Sequence, residues 1–290
     1  MSGVIFGLNV PASAARGSDP VGLARRAEDL GFGFVSTADH PCGDQPTHET
    51  WTMLTWIAAS TSRIRVATRV LGVPYRHPPM VAKMAETLDR LSAGRLILGL
   101  GGGYSDEEFR AFGLAVPSPR DKVDGLAEAI TIMRGLWSRP GFTFEGRRYR
   151  TVAADLEPKP GHVIPLWLGT FGNRALAVTG RLADGWIPSL GHASLDQLVV
   201  MRQRVIAAAE EAGRDPGQIT CALNLEVQVD EHTEAAPSVV AGPPAAVAEQ
   251  LVTLVRAGFT ALNFITVGRP ADEQAERLAM EVLPEVVATT

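Results

Sequence analysis

An acidic residue and a histidine stand side by side where an apolar segment ends, in "FGFVSTADH", residues 32–40. Histidine exchanges protons near neutral pH, so Asp39 and His40 together suit general acid–base chemistry, with His40 as the catalytic candidate. The same pair can also be a capping aspartate beside a structural, hydrogen-bonded histidine. Both interpretations place the two side chains at the end of a strand.

A metal-binding interpretation would use Asp39, His40 and His77 as ligands. The sequence has no H-x-H pair to strengthen it, and two cysteines give no C-x-x-C pair. The remaining histidines lie in loop-like stretches: His48, His162, His192 and His232. We therefore predict no metal site.

A run of glycines follows another apolar segment in "GRLILGLGGGYSDEEF", residues 94–109. The dinucleotide-binding pattern G-x-G-x-x-G fails, because its third glycine would be Tyr104 or Asp106. Ser105 and Glu108 have the spacing of a capping box at a helix start, and the carboxylates 106–108 would repel a phosphate there. The run thus either forms a tight turn or keeps a space free of side chains. The glycines concerned are Gly101, Gly102 and Gly103.

A second glycine-bearing stretch, "GTFGNRAL", has the opposite electrostatic character. A helix is predicted to begin near its asparagine, no carboxylate occupies the helix start, and an arginine is present. Free backbone N–H groups at such a start bind anions, so we predict a phosphate site here, with an ordinary capped turn as the alternative. The predicted site comprises Gly169, Thr170, Phe171, Gly172, Asn173 and Arg174.

The next strand end, "LADGWIPS", contributes Gly185 and Trp186. The indole of Trp186 is suited to form one wall of a pocket for a flat ligand. Core packing is the commoner role of a single tryptophan.

These stretches follow one another in a chain of alternating strands and helices. Strands are predicted at 4–10, 32–40, 63–73, 95–103, 164–169, 184–189, 219–229 and 261–268. Helices are predicted at 20–31, 49–61, 78–94, 119–137, 172–182, 194–212, 243–258 and 270–288. Eight strand–helix units predict a (β/α)₈ TIM barrel over residues 1–290 as a single domain; a doubly wound sheet is the alternative. An excursion at 139–163, with a hairpin at 142–150, interrupts the repeat between strands four and five.

The amino-acid composition of the chain restricts the kinds of molecule to which the protein is expected to bind. The net charge is −5 and no basic tract occurs, which argues against nucleic acid and a membrane surface. No apolar stretch approaches the ~20 residues of a membrane span, and no signal peptide is recognisable. Cys42 and Cys221 are expected to be unpaired thiols in a reducing compartment, so we expect a cytoplasmic protein.

Three segments together resemble the bacterial luciferase-like oxidoreductases: "STADHP", "SRIRVATRVLGVPYRHPPMVAKMAETLDRLSAGRLILGLGGG" and "IPLWLGTFGNRALAVTGRLADGWIPS". The resemblance covers roughly residues 4–190 and is weaker in the C-terminal third. It implies a (β/α)₈ barrel with excursions, usually a homodimer. It also implies reduced FMN with oxygen, or the deazaflavin coenzyme F420 for hydride transfer.

The resemblance also implies roles for residues. The glycines after strand four leave room for the flat ring, the phosphate lies at 169–174, and a non-prolyl cis peptide joins Arg69 to Val70. In the deazaflavin branch the Asp–His pair matches Asp39, near the ring, and His40, which handles the substrate proton. Deazaflavin-dependent sugar-phosphate dehydrogenases carry a Glu where this chain has Tyr104, which puts a sugar-phosphate substrate in doubt.

We therefore expect an oxidoreductase that transfers a hydride between coenzyme F420 or FMN and a small organic substrate. The F420 preference rests on Asp39–His40 and on an arginine-rich composition, 24 of 27 basic residues, typical of high-GC genomes. The alternatives are an FMN-dependent monooxygenase using O₂, a metal-dependent barrel hydrolase, and a barrel that binds a ligand without turnover.

Overall fold

Eight parallel strands close into a barrel in the computed structural model, which describes residues 3–231 and 238–290. The barrel order is β1–β2–β3–β5–β8–β9–β10–β12, and β12 pairs with β1 to complete the ring. Its strands are β1 (Ile5–Asn9), β2 (Phe34–Thr37), β3 (Arg65–Thr68), β5 (Leu96–Gly101), β8 (Leu166–Leu168), β9 (Gly185–Trp186), β10 (Thr220–Val229) and β12 (Ala261–Thr266). The predicted (β/α)₈ TIM barrel is confirmed.

Four short strands lie outside the ring. They are β4 (Leu71–Gly72), β6 (Phe142–Glu145), β7 (Arg150–Ala154) and β11 (Val239–Gly242). The antiparallel pair β6–β7 is the hairpin of the predicted excursion, although its second strand runs beyond residue 150. Three backbone N–H groups at its turn, from residues 147–149, donate to the carboxylate of Glu128, which fixes the hairpin to a helix.

Helices follow the strands and cover the outside of the barrel. They are α1 (Pro20–Asp29), α2 (Thr50–Ser60), α3 (Pro78–Leu91), α4 (Asp106–Ala111), α5 (Pro119–Ser138), α6 (Asn173–Leu182), α7 (Leu195–Glu211), α8 (Pro244–Arg256), α9 (Ala271–Arg277) and α10 (Leu283–Thr289). Proline occupies the first turn of α1, α3, α5 and α8, where its missing N–H costs no helix bond.

Two predicted elements differ from the structure. The third predicted strand, 63–73, is interrupted after Thr68 by a cis peptide bond between Arg69 and Val70, and pairing resumes at β4. The last predicted helix, 270–288, is divided by a π-helical segment, Leu278–Val282, before α10 begins with Pro284 near its start. A proline N–H is missing there, so the regular helical bonding pattern cannot run through it.

The barrel interior is layered. Its lower layer is apolar and is built from Phe34, Ala67, Ile97, Trp167, Ile187, Ala222 and Ala261. Because strand side chains alternate, residues two positions further on in β2, β3, β10 and β12 also point inward, nearer the carboxyl ends. These are polar: Ser36 Oγ donates to Asn263, and Asn263 Nδ2 donates to Asn224.

Two further sequence expectations meet the structure here. Cys42 and Cys221 are both free thiols, as predicted. Within the described ranges, none of the helices combines the length and apolar character needed to cross a membrane. His232 lies outside the described residues.

Candidate active site

A cavity of about 370 Å³ opens at the carboxyl ends of the barrel strands. This is the end at which barrel enzymes form their active sites. Its lining residues are Asp39, His40, Arg69, Val70, Gly72, Tyr75, Gly101, Gly102, Gly103, Tyr104, Glu108, Gly169, Phe171, Ile187, Ser189, His192 and Asn224.

Nine of the residues singled out from the sequence lie in this cavity. They are Asp39, His40, Arg69, Val70, Gly101, Gly102, Gly103, Gly169 and Phe171. The others lie outside its lining: Thr170, Gly172, Asn173, Arg174, Gly185 and Trp186. Four strand ends, those of β2, β3, β5 and β8, are thus brought together, as the barrel topology requires.

His40 is held by a carboxylate that comes from another strand end. Its Nδ1 lies 2.8 Å from Glu108 Oε1, and the phenol of Tyr75 donates to the other oxygen of Glu108 at 2.5 Å. An ionised carboxylate only accepts, so Nδ1 carries the proton and Nε2 of the neutral imidazole remains an acceptor. His40 is half exposed at the cavity, with 51% of its side chain accessible. The imidazole is therefore oriented to accept a proton on Nε2.

Tyr75 completes this group. Burial, together with the hydrogen bond and the charge of Glu108, raises the pKa of Tyr75. The phenol therefore stays protonated in the neutral range and acts as a donor to Glu108. Its ring packs against Phe109 at a centroid distance of 4.9 Å, which fixes the orientation of the phenol.

Asp39 has a different environment from His40. Its side chain is fully buried and accepts from Gly72 N at 2.9 Å and from two nitrogens of Arg76 at 2.8 and 3.0 Å. Burial alone would lower the pKa of Arg76, but its bonds to Asp39 and Glu49 raise it, so the Arg76 guanidinium stays charged. Asp39 thus ties the end of β2 to β4, and its acceptor sites are largely used.

Val70 explains two of the glycines that line the cavity. A Cβ at Gly101 would lie 2.7 Å from a Val70 methyl, and one at Gly169 would lie 3.1 Å from it. A Cβ at Gly99 would lie 1.9 Å from the carbonyl oxygen of Thr68. The sequence interpretation gave this space to a flat ring. The protein's own backbone at the cis bond Arg69–Val70, which was predicted, and the Val70 side chain fill much of it.

The other two glycines of the run are also required by the protein itself. A Cβ at Gly102 would lie 3.0 Å from Lys122, and Gly103 has a φ of +90° and faces the ring of Phe109. The cavity therefore meets bare backbone at Gly101–Gly103 because neighbouring protein atoms exclude side chains there.

Arg69 lies at the end of β3 on the polar side of the cavity. Its Nε donates to Asn9 Oδ1 at 3.1 Å, and it forms no salt bridge within residues 3–231 and 238–290. Burial lowers the pKa of Arg69 to about 10, and the nearby charge of Glu226 only partly opposes this. The guanidinium remains charged at neutral pH without a carboxylate in contact.

The turn between β8 and α6 has the features predicted for an anion site. Gly172 is the N-cap of α6, no side chain caps it, and the first turn contains no acidic residue. The loop is fixed from below, since Trp186 Nε1 donates to the carbonyl of Thr170 at 2.9 Å and the Thr170 hydroxyl bonds to Thr179. The backbone N–H groups at the start of α6 are thus free for an anion.

Arginines surround this helix start. Arg174 forms an ion pair with Asp124, and Arg204 donates to Asn173. The members of this arginine cluster are Arg120, Arg147, Arg148, Arg174 and Arg204, and four of them lie near Asp121 or Asp124. Five arginines against three carboxylates, those of Asp121, Asp124 and Glu128, leave the surface beside the turn positive.

Trp186 and Gly185 do not border the cavity. Trp186 is fully buried, with its ring against Phe259, because alternation along β9 turns it outward into the helix layer. Gly185 points inward, where a Cβ would lie 2.4 Å from Trp167. Trp186 thus holds the β8–α6 loop in place, and the structure does not bring its ring to a ligand in the cavity.

Aromatic rings form a row along the cavity mouth. Tyr104 packs edge-on against His40 at 6.2 Å and against His192 at 6.1 Å, and His192 stacks on Phe171 at 5.6 Å. Tyr104 is largely exposed, with 76% of its surface accessible. His192, assigned to a loop from the sequence, therefore belongs to the cavity rim.

A metal site would require a cluster of metal-ligating side chains, and the described part of the chain contains no such cluster. No three His, Cys, Asp or Glu side chains there are grouped so that they could hold a metal ion. The residues of the metal hypothesis are engaged elsewhere, with Asp39 on Arg76, His40 on Glu108 and His77 against the ring of Tyr149.

The sequence interpretation missed Glu108, Tyr75, Ser189, His192 and Asn224. Glu108 was interpreted as half of a capping box. Ser105 does cap α4 by accepting from Glu108 N, but the Glu108 carboxylate turns into the cavity. The available signal was a carboxylate in the first turn of the helix that follows the glycine-bearing strand end, at the same end of the barrel as the Asp–His strand end.

Known proteins resemble this chain in sequence and in fold. The family model described as luciferase-like monooxygenase matches residues 5–241. An F420-dependent glucose-6-phosphate dehydrogenase of Nakamurella multipartita is 31% identical over 80% of this chain and 69% of that enzyme. One of Intrasporangium calvum is 30% identical over 89% of this chain and 92% of that enzyme. An F420-dependent secondary alcohol dehydrogenase in complex with an F420–acetone adduct has a similar fold, with a TM-score of 0.88 at 19% identity over 98% and 99% of the two chains.

Proposed function

We propose that this chain, which belongs to the luciferase-like monooxygenase family, is an F420-dependent oxidoreductase that transfers a hydride between the deazaflavin and a small alcohol or carbonyl compound. The relatives and the similar fold just described are F420-dependent dehydrogenases. The observation that supports F420 best is the arginine cluster beside an uncapped helix start.

The chemistry of the two candidate cofactors differs beyond the phosphate. FMN ends at its phosphate, whereas F420 continues from its phosphate into an acidic lactyl-glutamate chain. The α6 N–H groups suit the phosphate of either cofactor. The arginine cluster extends the positive surface beyond that point and suits the acidic chain that only F420 has.

Different residues of the cavity serve the remaining functions of the site. The bare backbone at Gly101–Gly103, the Val70 side chain and the aromatic row at the mouth provide flat, apolar walls for a ring. When bound, F420 supplies a hydride acceptor or donor. Asp39 contributes by fixing β2 to β4, so that the wall behind the ring is held in place.

His40 moves the proton of the substrate. In the oxidising direction, Nε2 accepts the proton of the substrate hydroxyl while the carbon loses its hydride, and a carbonyl compound is formed. Glu108 holds Nδ1 and stabilises the imidazolium that results. In the reducing direction, the same Nε2–H donates to the carbonyl oxygen.

Spectroscopic turnover under nitrogen tests this proposal. The protein is mixed with F420 and a panel of secondary alcohols and with reduced F420 and the matching ketones, and the 420 nm absorbance is followed. We expect loss of the band with an alcohol, recovery with a ketone, and no need for oxygen. Product formation only with reduced FMN and O₂ would instead make the chain a monooxygenase.

Two further expectations stay proposals, one from the family resemblance and one from the unpaired cysteines. We propose that the protein is a homodimer and that it works in the cytoplasm. Light scattering after size-exclusion chromatography tests the first, and fractionation of the source cells tests the second.

A further inference from the structure

The cavity floor is divided into an apolar and a polar half. Above the apolar layer, the β5, β8 and β9 side presents glycine backbone and Ile187. The opposite side presents two polar side chains, Asn224 and Arg69. Buried polar residues hold them in place: Asn263, itself bonded to Ser36, donates to Asn224, and Asn9 accepts from Arg69. A flat ring is suited to the apolar half, so the polar half is left to a polar molecule beside it.

The charges of the cavity wall are paired except for one. Asp39 is neutralised by Arg76, and Glu108 is bonded by His40 and Tyr75. Arg69, in contrast, is half-buried and touches no carboxylate among the described residues; the exposed Glu226 of β10 lies beyond salt-bridge distance and acts on Arg69 only through its charge. A desolvated cation of this kind is stabilised when an anion binds to it.

The geometry of Arg69 restricts the anion. Its Nε is used by Asn9 Oδ1, which also fixes the plane of the guanidinium. The remaining Nη edge can form the two parallel bonds that a carboxylate accepts. Ser189 and Asn224, which also line the cavity and bond to each other, are neutral hydrogen-bonding groups. One cation with neutral neighbours matches a monoanion better than a phosphate dianion.

We infer that Arg69 binds a carboxylate of the substrate, so that this enzyme acts on hydroxy acids or oxo acids. The inference rests on the proposed function. In the oxidation, the carbon bearing the hydroxyl loses a hydride to F420 and the hydroxyl loses a proton to His40 Nε2, which leaves the oxo acid. The carboxylate is unchanged and serves to place that carbon in the cavity.

Binding of matched probes tests the inference without turnover. Butyrate, butyramide and inorganic phosphate are titrated calorimetrically into the protein with and without F420. The variants are Arg69→Met, which keeps the aliphatic stem, Arg69→Lys, which keeps the charge but not the fork, and Arg181→Met. Arg181 is an exposed arginine in the last turn of α6 and serves as the matched control. Thermal unfolding checks that each variant is folded.

We expect butyrate to bind more tightly than butyramide to the parent protein. The Arg69→Met substitution should raise the dissociation constant of butyrate by about 10-fold or more, as expected when a charge-assisted bond is lost. The same substitution should leave the dissociation constants of butyramide and F420 unchanged. The butyrate affinity of Arg69→Lys should lie between those of the parent protein and Arg69→Met.

Three results would overturn the inference. They are equal binding of butyrate and butyramide to the parent protein, undiminished butyrate binding to Arg69→Met, and weaker F420 binding to that variant, which would assign Arg69 to the cofactor. Phosphate binding that depends on Arg69 and exceeds that of butyrate would contradict the carboxylate assignment. Failure of the parent protein to bind F420 would instead contradict the proposed function, and the titrations without F420 would still report on Arg69.

Discussion

Two glycine-bearing turns at the same end of the barrel have opposite chemistry. The turn from β5 to α4 ends in a helix that Ser105 caps and whose first turn contains Asp106, Glu107 and Glu108. The turn from β8 to α6 ends in a helix that no side chain caps and whose first turn contains Arg174 but no acid. Glycine content alone would give both turns the same function.

The difference lies in what occupies the helix N-terminus. At α4, the hydroxyl of Ser105 and the carboxylates of the first turn occupy the positive end of the helix dipole. One of these carboxylates, that of Glu108, bonds to His40. At α6 the N–H groups remain free, and arginines flank them. We propose that the β5–α4 turn supports proton transfer and that the β8–α6 turn anchors the cofactor. Substitutions in the first should change turnover, and those in the second should change cofactor affinity.

The largest effect is expected at His40. His40→Asn keeps a polar group but removes the group that exchanges the proton, so the turnover number should fall by about 100-fold or more. The F420 dissociation constant should stay within a factor of two. Steady-state kinetics and a fluorescence titration of the same preparation measure both. Unchanged turnover would make the imidazole structural.

Placing an acidic side chain at the N-terminus of α6, as α4 has in its first turn, should nearly abolish the difference between the turns. Gly172 has an ordinary φ of −73°, and a Cβ added there would meet no atom within 4 Å, so Gly172→Asp fits. The new carboxylate would accept from the α6 N–H groups and repel a phosphate, which should weaken F420 binding by about 30- to 100-fold.

Gly172→Asn is the matched control, because its amide oxygen caps the helix equally well without a charge. Its loss of affinity should be clearly smaller. If Gly172→Asp binds F420 as tightly as the parent protein, the phosphate lies elsewhere.

Glu108 should show a smaller effect on turnover than His40. Glu108→Gln keeps the shape but removes the charge that stabilises the imidazolium, so we expect the turnover number to fall by about 10-fold with KM and F420 affinity little changed. Glu107→Gln, on the same helix turn but exposed, is the control and should behave as the parent. An equal effect of both variants would point to the overall charge of α4.

Arg174 should show the smallest effect. Because Arg174 already forms an ion pair with Asp124, part of its charge is neutralised without a ligand. Arg174→Ala should therefore raise the dissociation constant of F420 by about 10-fold or less, within the range of one charge-assisted hydrogen bond. The loss should shrink at high salt, because the side chain is exposed. An effect on turnover without an effect on affinity would contradict the division between the two turns.

The barrel was predictable from sequence because alternation and helix boundaries are local signals. The eight strands and most helices lie where the periodicity placed them, and Pro or Ser marks many helix starts. The break in β3 was implied only by the family resemblance, since no residue type marks the cis bond at Arg69–Val70.

The cavity was predictable only in part, because its contacts join distant segments. His40 and Glu108 are 68 residues apart, and the local spacing from Ser105 favoured a capping role for Glu108. Trp186 was proposed as a wall because it stands at a strand end. The outward direction of its side chain depends on the register of a two-residue strand, which periodicity cannot fix.

A fluorescence titration of the purified protein with F420 and, in parallel, with FMN tests the central claim most directly. The uncapped α6 start and the arginine cluster predict that F420 binds with a micromolar or lower dissociation constant, about 10-fold or more tighter than FMN, as expected for at least one additional charge-assisted contact. Tighter binding of FMN would contradict the F420 assignment. Failure of both cofactors to bind below about 1 mM would contradict the cofactor site itself.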